Sequence, residues 1–75
     1  MKEKSVNDLE IGEIGVVHKI VGEETIKRRL LDLGLIKGTN IKPVLISPSG
    51  DPRAFEFRGS LIAIRKEDAV NIKIK

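Results

Sequence analysis

Arg28-Arg29-Leu30-Leu31-Asp32-Leu33-Gly34-Leu35-Ile36-Lys37-Gly38-Thr39 is the stretch that decides the fold. Read outward from Gly34, it is a short helix, a glycine stop, a tight turn and the start of a strand. Just upstream, Ile26 precedes Leu30 and Leu33 at i, i+4 and i+7, which builds one apolar stripe. Glu23 and Glu24 place negative charge at the positive end of the helix dipole. The spacing predicts a helix from Glu23 or Glu24 to Leu33. Gly34 suits a left-handed stop, and Leu35 then stands where a Schellman motif returns an apolar residue onto Leu30. A helix this short is marginal by itself in water, so it must dock on the rest of the chain.

The rest of the chain reads as β-structure. Val6 to Leu9, followed by Gly12, is a lead-in segment with a turn. Ile14 to Val21 is the first strand, with Ile14, Val16 and Ile20 expected on one face and His18 among them. Gly15 marks a bend or a close backbone approach. Asn40 to Ser47 is the next strand, and Pro43 predicts an edge position for it. Pro48-Ser49-Gly50-Asp51-Pro52 is a loop. Arg53 to Arg58 carries Phe55 and Phe57 on one face, and Gly59-Ser60 reads as the hairpin turn. Leu61-Ile62-Ala63-Ile64 is a nearly continuous apolar strand, which implies burial on both faces or a barrel stave. Lys66-Glu67-Asp68 is a turn, and Val70 to Lys75 alternates as a strand with one wet face does. Five short strands and one helix make a mainly β domain, for which a closed five-stranded barrel is the small solution.

Composition narrows the class. With 75 residues the chain forms a single domain, 1–75. A domain of this size buries only about 60% of its unfolded surface. It has no cysteine, so no disulfide or thiolate site can staple it. No apolar run approaches the roughly 18 residues that cross a bilayer, and no signal region follows the first lysines. These features predict a soluble, cytoplasmic protein. The net charge of +3 is spread among interspersed charges of both signs, a mild bias toward anionic partners.

Taken in order, several segments resemble the FeoA family, the small accessory proteins of bacterial ferrous iron transport. They are Leu9-Glu10-Ile11-Gly12-Glu13-Ile14-Gly15, Arg29 through Thr39, Gly50-Asp51-Pro52, Phe57-Arg58-Gly59, Leu61 through Arg65, and Ala69 through Ile74. Leu33 stands where the family often has methionine, a change that conserves volume. Lys37 stands where it often has proline. The resemblance implies a small SH3-like five-stranded barrel with one inserted short α-helix. It also implies a partner, the membrane transporter FeoB with its cytoplasmic guanine-nucleotide-binding domain. A similar barrel forms the C-terminal domain of iron-dependent repressors.

The chemistry-bearing residues are sparse. His18 is the only histidine, and an iron site needs several converging nitrogen or carboxylate ligands. No metal or cofactor is therefore expected on this chain. Gly34 to Gly38 lacks the Gly-Lys-Ser/Thr ending of a phosphate loop. Asp51 reads as a turn former. No Ser or Thr has an identifiable base and orienting group, so the chain is not expected to be an enzyme. Lys27, Arg28 and Arg29 form the densest basic run, which Arg58, Lys37 and Arg65 extend if the fold gathers them. One short helix cannot turn Leu31, Leu33, Leu35 and Ile36 all inward, so an exposed apolar patch is expected. The expected partner-binding residues are Arg28, Arg29, Leu31, Leu35 and Lys37. They would form an apolar centre with a basic rim on a module that binds and regulates FeoB from its cytoplasmic side. The same helix could support weak self-association. Two alternatives stand beside this reading. One is a small basic barrel that binds nucleic acid, which lacks the Trp and Tyr platforms single strands use. The other is a domain related to the repressor barrels. An SH3-type groove for proline-rich peptides fits worst, because it needs an aromatic lining.

Overall fold

A computed structural model describes residues 3–75. The strands are β1 (Gly15–Ile20), β2 (Asn40–Ile46), β3 (Arg53–Phe57), β4 (Ser60–Ile64) and β5 (Ile72–Ile74). Helix α1 (Glu24–Asp32) follows β1, a second helix α2 (Lys66–Ala69) follows β4, and a 3-10 turn (Val6–Asp8) precedes them all. The five strands form one antiparallel sheet in the order β4-β3-β2-β1-β5. The expected five strands and α1 are present.

The expected closure is not. β4 and β5 are the two edges of the sheet and do not pair with each other. The free edge of β5 is occupied by the N-terminal segment instead. Ser5 bridges Lys73, and the Ile74 N–H donates to the Lys4 carbonyl at 3.0 Å. Covering an edge with another segment satisfies its backbone groups without a closed barrel.

Three local expectations fail for identifiable reasons. In β1 the inward residues are Gly15 and Val17, while Ile14 is 63% exposed and Val16 also faces out. The β1–β5 register then shifts between Val17 and Lys19, and His18 falls in this irregularity. The shift resets the alternation, so Ile20, opposite Ile72, packs against the core after all. In β2, Pro43 lies in a strand paired on both sides rather than at an edge. The β1–β2 ladder ends at Gly15 and Ile41, and beyond it the turn before β1 meets Pro43 at its carbonyl, which accepts the Gly12 N–H at 2.7 Å. The missing N–H therefore costs no ladder bond to β1. In β4, Ile62 and Ile64 face inward, but Leu61 is 59% exposed and Ala63 lies open beside it.

The segment after β4 also differs. Lys66 to Ala69 is helical, and the final strand starts only at Ile72. The carboxylate of Asp51 accepts the Lys66 N–H at 2.7 Å, supplying the cap that the local sequence lacks. Asp51 thus ties the β2–β3 loop to α2, a longer-range role than turn formation.

The core gathers Val17, Ile41, Phe55, Phe57, Ile64 and Ile72 from the sheet. Leu30 and Leu35 enter from α1 and its cap, and Val6 and Leu9 from the lead-in segment. Gly15 is where the chain needs no side chain. A Cβ there would meet the Leu9 and Ile74 methyl groups at 3.0 and 3.2 Å, which is the close approach expected of it.

Arg53 locks the lead-in segment down. Its Nη1 donates to the Leu9 carbonyl at 2.7 Å, and its Nη2 to those of Val6 and Asn7 at 2.9 and 3.0 Å. The guanidinium also lies 5.2 Å from the centre of the Phe55 ring. Arg53→Ala should lower stability by about 2–3 kcal/mol, because three partly buried carbonyls lose a charged donor. Arg53→Lys should restore only part of it, since an ammonium lacks the planar fork. Urea midpoints of the three proteins check both statements.

Candidate interaction surface

Helix α1 docks by one stripe. Leu30 is fully buried and Ile26 packs against the core. The helix ends as a Schellman motif. The Gly34 N–H donates to the Leu31 carbonyl at 2.9 Å and the Leu35 N–H to the Leu30 carbonyl at 3.3 Å. Gly34 has φ of +97°, a left-handed conformation that an L side chain resists. Its carbonyl accepts from the Thr39 hydroxyl at 3.2 Å, which fastens the cap to the start of β2.

This geometry sorts the expected contact residues. Leu35 has zero exposure, so it belongs to the core and not to any surface. The cap that returns it onto Leu30 is the cause. Leu31, Leu33 and Ile36 remain 46%, 39% and 47% exposed. Arg28 and Leu31, one turn apart, share a shallow depression of about 360 Å³ with Glu24, Lys27 and Asp32. Arg29 turns away from it. Its Nη2 contacts both carboxylate oxygens of Asp68 at 2.8 Å and so clamps α1 to α2. Lys37 lies in a separate groove of about 410 Å³, beside Ile36, Gly38, Asn40 and Arg58. The five residues therefore do not form one patch.

Of the basic residues that could extend the run, Arg58 lines the same groove as Lys37, whereas Arg65 lines a different depression with Asp51 and Lys66. Arg58 sits in the β3–β4 hairpin. Phe57 pairs with Ser60, so the two turn residues are Arg58 and Gly59, one position earlier than Gly59-Ser60. Both have positive φ, +53° and +78°, as a type I′ turn requires. Arg58 is the only non-glycine residue among those described with positive φ. It also lines a second groove of about 430 Å³, with Ile14, Lys42, Glu56 and Asn40. The adjoining Phe57-Arg58-Gly59 triplet was the sequence signal, but its turn register is a one-residue matter that composition does not resolve.

No three His, Cys, Asp or Glu side chains among the described residues are arranged to hold a metal ion. His18 is half-buried, and its Nδ1 has no hydrogen-bond partner there. Among the described residues no helix is long and apolar enough to cross a membrane.

Comparison with known proteins places this surface in context. Residues 4–75 match the FeoA domain family. A curated relative from Porphyromonas gingivalis is a fusion of Fe(2+) transport protein A with the Fe(2+) transporter FeoB. It is 26% identical over 93% of this chain, and the chain spans 8% of the relative's length. The FeoA-like protein of Clostridium acetobutylicum superposes with a TM-score of 0.89 at 33% identity, covering 100% of this chain and 87% of that one. The FeoA of Stenotrophomonas maltophilia, a zinc complex described as a procaryotic SH3 domain protein, gives 0.85 at 24% identity over 96% and 89%. The fold is thus mainly β and SH3-like.

Gly34→Ala should destabilise the domain by about 1–2 kcal/mol through its left-handed backbone alone. The new methyl group would also meet the Arg58 side chain at 3.3 Å. A urea titration followed by far-UV circular dichroism tests it.

Proposed function

The chain belongs to the FeoA family, and we propose that it is a non-enzymatic docking module that binds the cytoplasmic side of a FeoB-type ferrous iron transporter. The carrying observation is the fusion relative, in which a segment similar to this chain and a FeoB transporter are one polypeptide. Covalent fusion keeps two parts at high effective concentration, which favours parts that work together.

The surface supports a protein partner. Leu31 is exposed beside Arg28 and Ile36 beside Lys37, so each of the two depressions pairs an apolar side chain with a basic one, as interface residues often are. Arg29 contributes through α2 instead, and Leu35 through the core. The two phenylalanines are buried, which leaves no aromatic platform for single-stranded nucleic acid. Binding that differs between conformations of the transporter would bias them by that difference.

The test is a titration of this protein against the FeoB cytoplasmic domain and against full-length FeoB in detergent, with and without guanine nucleotide. Arg28→Glu and Lys37→Glu should each weaken binding about tenfold, or about 1.4 kcal/mol, with unchanged urea midpoints. Arg29 is left intact in this test, because reversing its charge would break the contact to Asp68. No saturable binding to either form sinks the proposal. Unchanged affinity in both variants moves the contact elsewhere on the chain.

A further inference from the structure

We propose that Arg58 is the anchor of a peptide-binding cleft that takes an acidic, apolar-flanked segment of a protein partner. The inference rests on the reading of this chain as a docking module, and it names the chemistry of what docks.

The first observation is conformational. Arg58 holds φ of +53° at the first position of a type I′ turn, where Asn, Asp or Gly is favoured. Strain of this kind persists where the surroundings or a function require it. The fold gives little back. Among the described residues, the guanidinium of Arg58 reaches only the Gly34 carbonyl within hydrogen-bonding range, at 3.5 Å. That oxygen already accepts a shorter bond from Thr39. A turn selected for stability alone would carry Asn-Gly.

The second observation is electrostatic. Among the described residues, Lys19, Lys27, Arg29 and Lys42 each have a carboxylate partner within 4 Å. Arg58 and Lys37 have none, a state they share with most of the other basic residues described. They line the same groove, and Glu56, on the adjoining one, is already engaged by Lys42 at 3.6 Å. The junction of the two grooves is therefore cationic.

The third observation is shape. The grooves meet at Asn40 and Arg58, which line both. Ile14 lines one groove and Ile36 the other, both exposed. An extended peptide laid along them would put its carboxylate on Arg58, with Lys37 adding a second positive charge. Its apolar side chains would reach Ile14 and Ile36, and Asn40 could meet its backbone. A guanidinium fork matches a carboxylate better than an ammonium does. Apolar ends with no exposed aromatic ring favour this occupant over nucleic acid.

The test pans a display library of random twelve-residue peptides on the intact protein. Selected peptides are then synthesised together with their Asn and Gln counterparts. Binding is measured to wild type, Arg58→Asn and Lys37→Ala, and located by amide chemical shifts. Selected peptides should be rich in Asp or Glu beside Leu, Ile, Val or Phe. Their amide counterparts, and Arg58→Asn, should each lower affinity at least tenfold. Perturbed amides should centre on Ile14, Lys37 to Asn40, and Arg58-Gly59. Arg58→Asn should unfold at an equal or higher urea concentration, the opposite of what a structural arginine predicts. No binders, binders without acidic enrichment, affinity within twofold in Arg58→Asn, or a lowered urea midpoint for that variant would each overturn the inference. Titrating FeoB cytoplasmic domain with the same variant separates the two proposals. FeoB binding that ignores Arg58→Asn removes the anchor and keeps the partner. Acidic peptides that need Arg58, with no FeoB binding, keep the anchor and remove the partner.

Discussion

The left-handed turn at Gly34 is the constraint on which the rest of this molecule depends. It lets Leu35 fold back over Leu30, so that a nine-residue helix delivers two fully buried leucines to the core. Without the cap, α1 would offer little beyond Leu30 and Ile26, too little to hold a helix of that length in place. The outward residues follow from the same geometry. Once Leu30 and Leu35 are inside, Leu31, Leu33 and Ile36 have no core left to enter. The apolar surface is a consequence of how the helix docks and does not need a separate explanation for its position. What function adds is the charge around it.

The sheet depends on equally long connections. In a domain this small each segment must be fixed by another, because the core alone leaves a narrow margin. Arg53 holds the lead-in segment by three carbonyls, and that segment covers the outer edge of β5. Asp51 caps α2 from the β2–β3 loop, and Asp68 of α2 reaches back to Arg29 of α1. Each link joins residues distant in sequence, and together they hold an open sheet in the shape a closed barrel would have supplied. The Arg29 pair is exposed enough to contribute only about 0–1 kcal/mol by itself. Its value lies in fixing the relative placement of two helices that otherwise touch little.

What the sequence made legible was local. α1, its stop at Gly34 and the return of Leu35 need only residues within one or two turns, and each is present as read. The strands were legible as strands, because alternation and turn residues are local too. Their phase was not. One irregularity at His18 reverses the parity of β1, so Ile14 and Val16 exchange faces with Gly15 and Val17. α2 was invisible because its cap arrives from Asp51, outside the segment. The placement of Leu35 on the contact surface had a different cause. The Schellman reading that set Leu35 against Leu30 already required it to be buried, and the two expectations could not both hold. Arg29 could be placed on the helix from sequence, but its partner on α2 could not.

Arg58 shows how a local rule and a global one pull apart. Local propensity asks for Asn or Gly in that turn, and hairpin register alone decides which residue must supply the positive φ. Natural sequences agree with their fold at nearly every level, and the positions that disagree tend to be those where binding or chemistry is selected instead of stability. Here the disagreement falls on a long cation, in a groove shared with a second cation and the exposed Ile36, beside a groove lined by the exposed Ile14. An exposed leucine elsewhere, such as Leu61 on the outer face of β4, has no such company and is an ordinary feature of a protein surface. Exposure by itself therefore does not single out the docking site. The coincidence of backbone strain, uncompensated charge and apolar walls does, and it falls where the cap of α1 approaches the β3–β4 hairpin, so the element that completes the core also shapes the cleft.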